Sequence, residues 1–425
     1  MRNLSNRNII ILSSIDWDSH RQLHHELIDH LIKKKNKILF VENTGSRTVR
    51  IADFPRIKKR LSNFIKSSRG FKKINKNITS FSPLFFPYYF NFFFQSINSL
   101  MVLRPISKWL SINEFYDPII INFIPNPITY SIVNNINSNL VIYYMADNMT
   151  QNDKKFRKIE QKIINKSQLV FFSSINLKNK IKNISKRKFL PNGVNFEIFN
   201  KIKLSKKYIK RESLKIVYLG AVRDIINENL ILKISKKFPE DKIYFIGPIL
   251  KKFNKLQKQK NIIFIGQIKH KFVPNFLKNF HIGILPYKVN LFTKSINPLK
   301  VYEYVSSGLP VISTNLPNVV KLSIDYPNIN LFKAKNDQHF LNHISNIKRN
   351  YKQNSRRDLN IFLKENAWVN RFKLLEKWSL IKEFENKYID KKYFKLNKFK
   401  IFNFIYNILI LFSLFFVFNY FFKFI

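Results

Sequence analysis

Two long stretches of this chain alternate short, almost wholly apolar runs with amphipathic ones, a rhythm that predicts strands separated by helices. In the first stretch the apolar runs fall at residues 8–13, 38–42, 119–123, 140–145 and 169–173. In the second they fall at 215–219, 242–246, 262–265, 282–285, 310–313 and 329–332. They lack the one-in-two alternation of a half-wet strand, so they read as strands buried on both faces, as in a parallel sheet covered by helices. The intervening segments fit that role: Leu23, Leu27 and Leu31 recur every four residues, and Trp368, Phe372 and Leu375 share one face of a helix expected over 366–377. The pattern predicts two doubly wound α/β domains, with a basic stretch around 195–213 between them. Residues 46–116 show no clear period.

The far end of the chain has a different pattern. Residues 401–422 hold no charged side chain and match the length of about 20 residues that spans a bilayer as a helix. Lys391, Lys392, Lys395, Lys398 and Lys400 precede them and only Lys423 follows. By the positive-inside rule the body of the chain then faces the cytoplasm, on the inner face of the cell membrane, held by a C-terminal single-pass anchor. A monotopic hairpin or an interfacial helix is the alternative. Near the start the apolar run at 9–12 is too short for a signal peptide, so secretion is not expected.

Composition changes this picture little. The 425 residues are 45% apolar, enough for real cores, and the absence of cysteine excludes disulfides and thiol catalysis while permitting a reducing compartment. The formal charge of +49 would suit a polyanion, yet no nucleic-acid motif accompanies it. Lys, Asn, Ile and Phe are all abundant while only 8 Gly are present, which points to a compositional bias behind most of the charge. Those few glycines are informative: Gly220, Gly247 and Gly266 each follow a predicted strand, where the backbone must turn tightly or admit a ligand.

Residues 281–314 carry the most chemistry. They read as a strand, a polar loop closed by Asn297 and Pro298, a helix from Leu299, a stop at Gly308 and a second strand. Lys300 and Glu303 lie one turn apart near the start of that helix, at the carboxyl end of a parallel sheet, where helix N-termini attract anions. The pattern P-x-K-x-x-E-x-x-x-x-G-x-P-V resembles the donor-site segment of GT-B glycosyltransferases of the family 4-like, group 1 type, which include polysaccharide and teichuronic-acid-type biosynthesis enzymes. Residues 191–195, Pro-Asn-Gly-Val-Asn, resemble the PNGVD segment that ends the first domain in that family, with Asn195 in place of Asp. The Asn-Gly pair there is expected to supply a turn with positive φ.

The resemblance implies a GT-B fold: two Rossmann-like domains facing a cleft, with an acceptor domain over 1–197, a linker over 198–212 and a nucleotide-sugar donor domain over 213–362. A final helix, 363–390, would cross back to the first domain, ahead of the transmembrane helix at 401–422. It also implies sugar transfer, independent of metal, from a nucleoside diphosphate sugar to a lipid-linked or glycan acceptor in surface polysaccharide synthesis. The donor is a substrate, and no cofactor or nucleic acid is expected. By the same resemblance Glu303 accepts hydrogen bonds from the nucleotide ribose and Lys300 neutralises the diphosphate. Gly220, Gly247, Pro298 and Leu299 shape the donor pocket, with Gly247 and Pro248 at the nucleobase, and Arg223 meets the phosphates, for which a planar guanidinium is suited. Ser295 stands where such enzymes usually carry a first Glu. Asp147, at a strand end, is the candidate general base if the enzyme inverts, and an acceptor-orienting group if it retains. The alternatives are a non-catalytic GT-B scaffold at the membrane, a GT-B epimerase and a polyanion-binding protein.

Other patterns are set aside or left open. Asp16 and Asp18 form a literal D-x-D, but it follows the first strand, the wrong place for the metal-binding version. His25-Glu26-x-x-Asp29 fails the H-E-x-x-H zinc pattern at its last position. His20 and His24 share a helix face without a third ligand, and His20 is a candidate for acceptor binding. Residues 81–94 hold nine aromatics in fourteen positions, suited either to a membrane interface or to a core. The lysine-rich faces over 154–188 suit either an anionic leaflet or plain solubility.

Overall fold

The computed structural model of the chain describes residues 4–19, 21–45, 62, 69–86, 88–150, 153–200, 213–349 and 354–389. His20 and the expected transmembrane segment 401–422 lie outside the described residues, among which no helix is long and apolar enough to cross a membrane.

Eight strands form the first sheet: β1 (Asn8–Leu12), β2 (Lys37–Val41), β3 (Phe71–Lys73), β4 (Ile78–Phe81), β5 (Ile119–Asn122), β6 (Leu140–Met145), β7 (Leu169–Phe172) and β8 (Arg187–Phe189). Their order is β3-β4-β2-β1-β5-β6-β7-β8, parallel throughout except for β3 against β4. The second sheet takes β9 (Lys215–Leu219), β10 (Lys242–Ile246), β11 (Ile262–Gly266), β12 (Ile282–Leu285), β13 (Val311–Thr314) and β14 (Leu331–Ala334). Its order is β11-β10-β9-β12-β13-β14, all parallel. In each sheet the first strand is central and the chain winds outward both ways. The switch points between β1 and β5 and between β9 and β12 therefore open crevices at the carboxyl ends, where ligands bind in such folds. Both sheets belong to one compact unit that ends at Leu380, and the rest of the final helix belongs to a second.

The apolar runs became these strands because both of their faces are covered: Ile9, Ile10, Ile11 and Leu12, like Ile216, Val217 and Tyr218, are buried without exception. Periodicity missed the three-residue edge strand β8 and the elements within 46–116. The strand β3 is short, charged at two of its three positions and antiparallel at a sheet edge. The helix Phe92–Ile112 hides its period behind aromatics on several faces and an internal Pro105, yet Asn91 caps it firmly, its Oδ1 accepting from the amides of Phe93 (3.0 Å) and Phe94 (3.3 Å).

The expected final helix is two helices, Arg356–Glu365 and Trp368–Ile389. The break falls where Val194 intervenes: its amide donates to the Asn366 carbonyl at 2.9 Å, and its own carbonyl accepts from the Trp368 amide at 3.0 Å. Trp368, Phe372 and Leu375 then pack into the first sheet's core with Ile9, Leu27, Tyr144 and Leu190. Gly193 corrects the expectation of a positive φ at the Asn-Gly pair, since neither residue adopts one. Glycine is needed there for room, because a Cβ would meet the Asn366 carbonyl at 2.8 Å and the Trp368 ring at 3.0 Å.

His24 is no ligand candidate in this fold. It is buried, its Nε2 lies 3.2 Å from Ser14 Oγ, and its ring packs 4.2 Å from that of Phe123. Burial, helped by the neighbouring His25, pushes its pKa down to about 3. The unfolded chain therefore takes up a proton near pH 6.5 that the folded chain refuses until far lower. Stability is fully present above pH 6.5 and is lost as the pH falls through that window, by up to about 1.4 kcal/mol per unit. A His24→Gln variant should show a flatter decline in urea melts between pH 6.5 and 4, and identical slopes in the two proteins would refute a buried neutral imidazole.

Candidate functional site

The carboxyl ends of β9, β10 and β11 and the start of the helix Leu299–Ser306 enclose a cavity of about 470 Å³, closed on its far side by Arg21 and Gln22 of the first sheet domain. Backbone shape makes it possible. Gly220 (φ +126) and Gly247 (φ +146) hold conformations that L-residues rarely adopt. A Cβ on Gly247 would stand 2.2 Å from the Gly220 carbonyl oxygen, and one on Gly220 would stand 2.7 Å from Lys300 Nζ. The two glycines thus let adjacent strand ends touch and bring a cation onto the backbone turn.

Lys300 Nζ donates to the hydroxyls of Tyr287 (2.6 Å) and Tyr218 (3.2 Å) and sits 4.5 Å from the Tyr218 ring centroid. The two phenols hold the ammonium over Gly220. Burial raises the pKa of both phenols, so they stay neutral donors and acceptors around the cation. One turn on, Glu303 is buried to 6% exposure and its Oε1 lies 2.9 Å from His270 Nε2. Burial alone would lower the His270 pKa, but the hydrogen bond and charge of Glu303 outweigh it and the imidazole ends above its ordinary value. Across the cavity Arg21 donates to Glu26 Oε1 at 2.6 Å and also pairs with Asp29.

Of the residues singled out in the sequence, Lys300, Glu303, Gly220, Gly247 and Leu299 line this cavity together, as does Pro248. Pro298 is the residue before the helix and does not line it. Ser295 points elsewhere: it ends the short helix Leu291–Lys294, is buried, and its hydroxyl donates to the Leu291 carbonyl at 3.1 Å. Asp147 and Arg223 do not line the cavity. Burial raises the Asp147 pKa, and the Arg223 guanidinium offsets part of that rise. Arg223 itself is exposed, 3.3 Å from Asp224 and 5.9 Å from the Phe292 ring centroid. Asp147 and Arg223 both act electrostatically on Tyr287, the phenol that holds Lys300. Among the described residues no group of three or more His, Cys, Asp or Glu side chains is arranged to hold a metal.

Sequence reasoning missed His270, Tyr287, Arg21 and Gln22, and it missed how the domains are clasped. Asn192 Nδ2 donates to the Asn297 carbonyl (2.7 Å), Asn297 Nδ2 to the Ser173 carbonyl (2.9 Å), and Asn318 Nδ2 to Ser174 Oγ (2.6 Å). The Ile175 amide answers by donating to Asn318 Oδ1 at 3.2 Å. A position just past a strand end, as Tyr287 is past β12, was the one available signal; in a chain this rich in Asn the clasp had none.

Two doubly wound sheets joined by a clasp, with a final helix returning to the first domain, define the GT-B architecture. Over residues 200–362 the chain matches the family model described as glycosyl transferases group 1. TuaH of Bacillus subtilis, whose name assigns it provisionally to glycosyl transfer in teichuronic acid biosynthesis, is 28% identical over 144 residues. The match covers 32% of this chain and 36% of TuaH. Among solved structures, a sucrose-phosphate synthase from Thermosynechococcus elongatus superposes with a TM-score of 0.61 at 12% identity, over 88% of this chain and 99% of that one. Anabaena Alr3699/HepE, solved with UDP and glucose, gives 0.59 at 12% identity, and a glycosyltransferase from Rickettsia africae gives 0.59 at 14%. Each covers 88% of this chain and 99% of its own, and at such identities they speak for the fold alone.

Proposed function

We propose that this chain transfers a sugar from a nucleoside diphosphate sugar to a lipid-linked or glycan acceptor. The observation that carries the reading is the placement of Lys300 and Glu303 one turn apart in a 470 Å³ cavity floored by Gly220 and Gly247. In it the ammonium of Lys300 meets the diphosphate and disperses the charge that grows on the leaving group. Glu303 takes the ribose hydroxyls, and the backbone past Gly247 and Pro248 borders the base. Asp147 lies on the acceptor side; a carboxyl with a raised pKa is suited to taking the acceptor proton if configuration inverts. Arg223 is exposed and pairs with Asp224, a surface contact it would exchange for the phosphates. The cytoplasmic face of a membrane, reached through an anchor at 401–422, is the proposed place of action, and the synthesis of a surface polysaccharide the proposed process.

One observation favours a second reading. Ser295, where a first Glu is usual in such enzymes, spends its hydroxyl on the Leu291 carbonyl, which suits a scaffold that binds nucleotide without transferring sugar. Thermal melts of the detergent-solubilised full chain with UDP, GDP, CMP and their sugars test the donor site first. A nucleotide present at about 100 times its dissociation constant should add roughly 2.7 kcal/mol of stability. No shift with any nucleotide at millimolar concentration would remove the donor site, and a shift without turnover of any nucleotide sugar would favour the scaffold.

A further inference from the structure

The aromatic run at 81–94 divides in the fold. Phe81 and Tyr89 are buried in the first domain's core, but Phe86, Tyr88, Phe92 and Phe93 are 42%, 60%, 77% and 65% exposed. They are not scattered. Phe94 gathers three of them, with ring centroids 5.2 Å from Phe86, 4.9 Å from Tyr88 and 5.6 Å from Phe93. Asn98 fixes the ridge in place: its Oδ1 accepts from the Phe86 amide at 2.6 Å and its Nδ2 donates to the Phe86 carbonyl at 2.8 Å. A rigid apolar ridge of this kind costs solubility unless something covers it.

What borders the ridge says what covers it. Phe90, within the same run, packs against Phe156 of the helix Lys154–Lys166 and lies 5.7 Å beneath Lys155 Nζ. That helix exposes Lys154, Lys155, Arg157, Lys158, Lys162 and Lys166, while its one acidic residue, Glu160, is 1% exposed and held by Tyr143, Thr150 and Lys180. The helix Phe92–Ile112 carries Arg104 and Lys108 and no acidic residue. Along the helix Pro127–Asn135, which packs against both, runs a groove of about 190 Å³ of mixed character, lined by Gln95, Asn98, Asn134 and Lys162 together with Ile128 and Ile159; Lys162 Nζ lies 5.6 Å from the Tyr130 ring centroid. Exposed aromatics beside cations with no exposed carboxylate on the same helices are complementary to one surface, the headgroup layer of an anionic bilayer. Aromatic rings settle there among the headgroups, and each lysine gains from the negative potential.

We propose that this ridge and the lysine face beside it are a docking surface for an anionic lipid bilayer, with Lys162 at the groove meeting headgroups. The proposal stands on the first domain alone and does not depend on sugar transfer or on the segment 401–422. Docking there would lay the first domain flat against the membrane. Hydroxyl-radical footprinting of the full chain tests it, with vesicles of phosphatidylcholine alone or with phosphatidylglycerol added. Oxidation of Tyr88, Phe92 and Phe93 should slow severalfold with the anionic vesicles only, while Tyr116, exposed past the other end of the helix Phe92–Ile112, stays reactive. The double variant Lys155→Glu, Lys162→Glu should return the rates to those seen with neutral vesicles. Equal rates with and without anionic vesicles would overturn the proposal, as would equal protection by both lipids. Protection that appears without lipid and vanishes on dilution would also overturn it, in favour of contact between copies of the chain.

Discussion

Replacing Lys300 by Ala is expected to lower kcat for sugar transfer by about 10²–10³-fold, the cost of removing one preorganised charge from a developing anion. The ammonium is placed before any ligand arrives, by the Tyr287 and Tyr218 hydroxyls and by the absent side chain of Gly220, so it need not reorganise as the leaving diphosphate gains charge. The fold should tolerate the change, because Tyr218 keeps its hydrogen bond to the Ala221 carbonyl (3.0 Å). Lys300→Arg should rescue little. A planar fork cannot occupy the narrow space between two phenol rings and a glycine turn as a compact ammonium does. Steady-state kinetics with the nucleotide sugar that stabilises the chain would decide the matter. A kcat within threefold of the parent would reduce Lys300 to a structural hydrogen-bond donor.

Glu303→Gln should act on affinity. Hydrogen bonds to a charged acceptor contribute roughly 1.5–3 kcal/mol, so nucleotide affinity is expected to fall about 10–150-fold, with kcat at saturating donor changed much less. His270 supplies a second readout. In the parent its pKa stands above the ordinary value because Glu303 more than offsets burial; with the carboxylate gone, burial acts unopposed and the imidazole should titrate at lower pH. Calorimetry would give the first result and histidine proton NMR the second. If His270 shifts while nucleotide affinity does not, Glu303 serves the imidazole and not the ribose.

Much of the architecture was legible in the chain because parallel sheets write themselves plainly. A strand covered on both faces must be apolar along its length, so β1, β2, β5, β6, β7 and β9 to β14 could be read within two residues or so. Glycines at strand ends could be read for a related reason. Gly220 and Gly247 stand where a backbone must pass close to its neighbour, and in a chain with 8 glycines such placement stands out. The edge strand β3 left no mark, since only Phe71 of its three residues packs inward while both lysines face water, and the helix Phe92–Ile112 was masked by aromatics that answer to different surroundings. The helix over 366–377 was legible as apolar spacing, but its break at Asn366 was set by hydrogen bonds to Val194, far away in the chain.

The candidate site divides along the same line. Local pattern alone placed Lys300 and Glu303 on one helix turn and set Gly220 and Gly247 at strand ends, because helix period and strand termination are properties of neighbouring residues. Tertiary structure decided the rest. It brought His270 to Glu303, Tyr287 to Lys300 and Arg21 to the far wall, turned Ser295 inward, and left Asp147 and Arg223 out of the cavity lining. It also divided one aromatic run into core residues and an exposed ridge. Those outcomes depend on which surfaces meet when two sheets and their helices pack, and burial, pairing and charge at a residue are fixed only by neighbours that packing supplies.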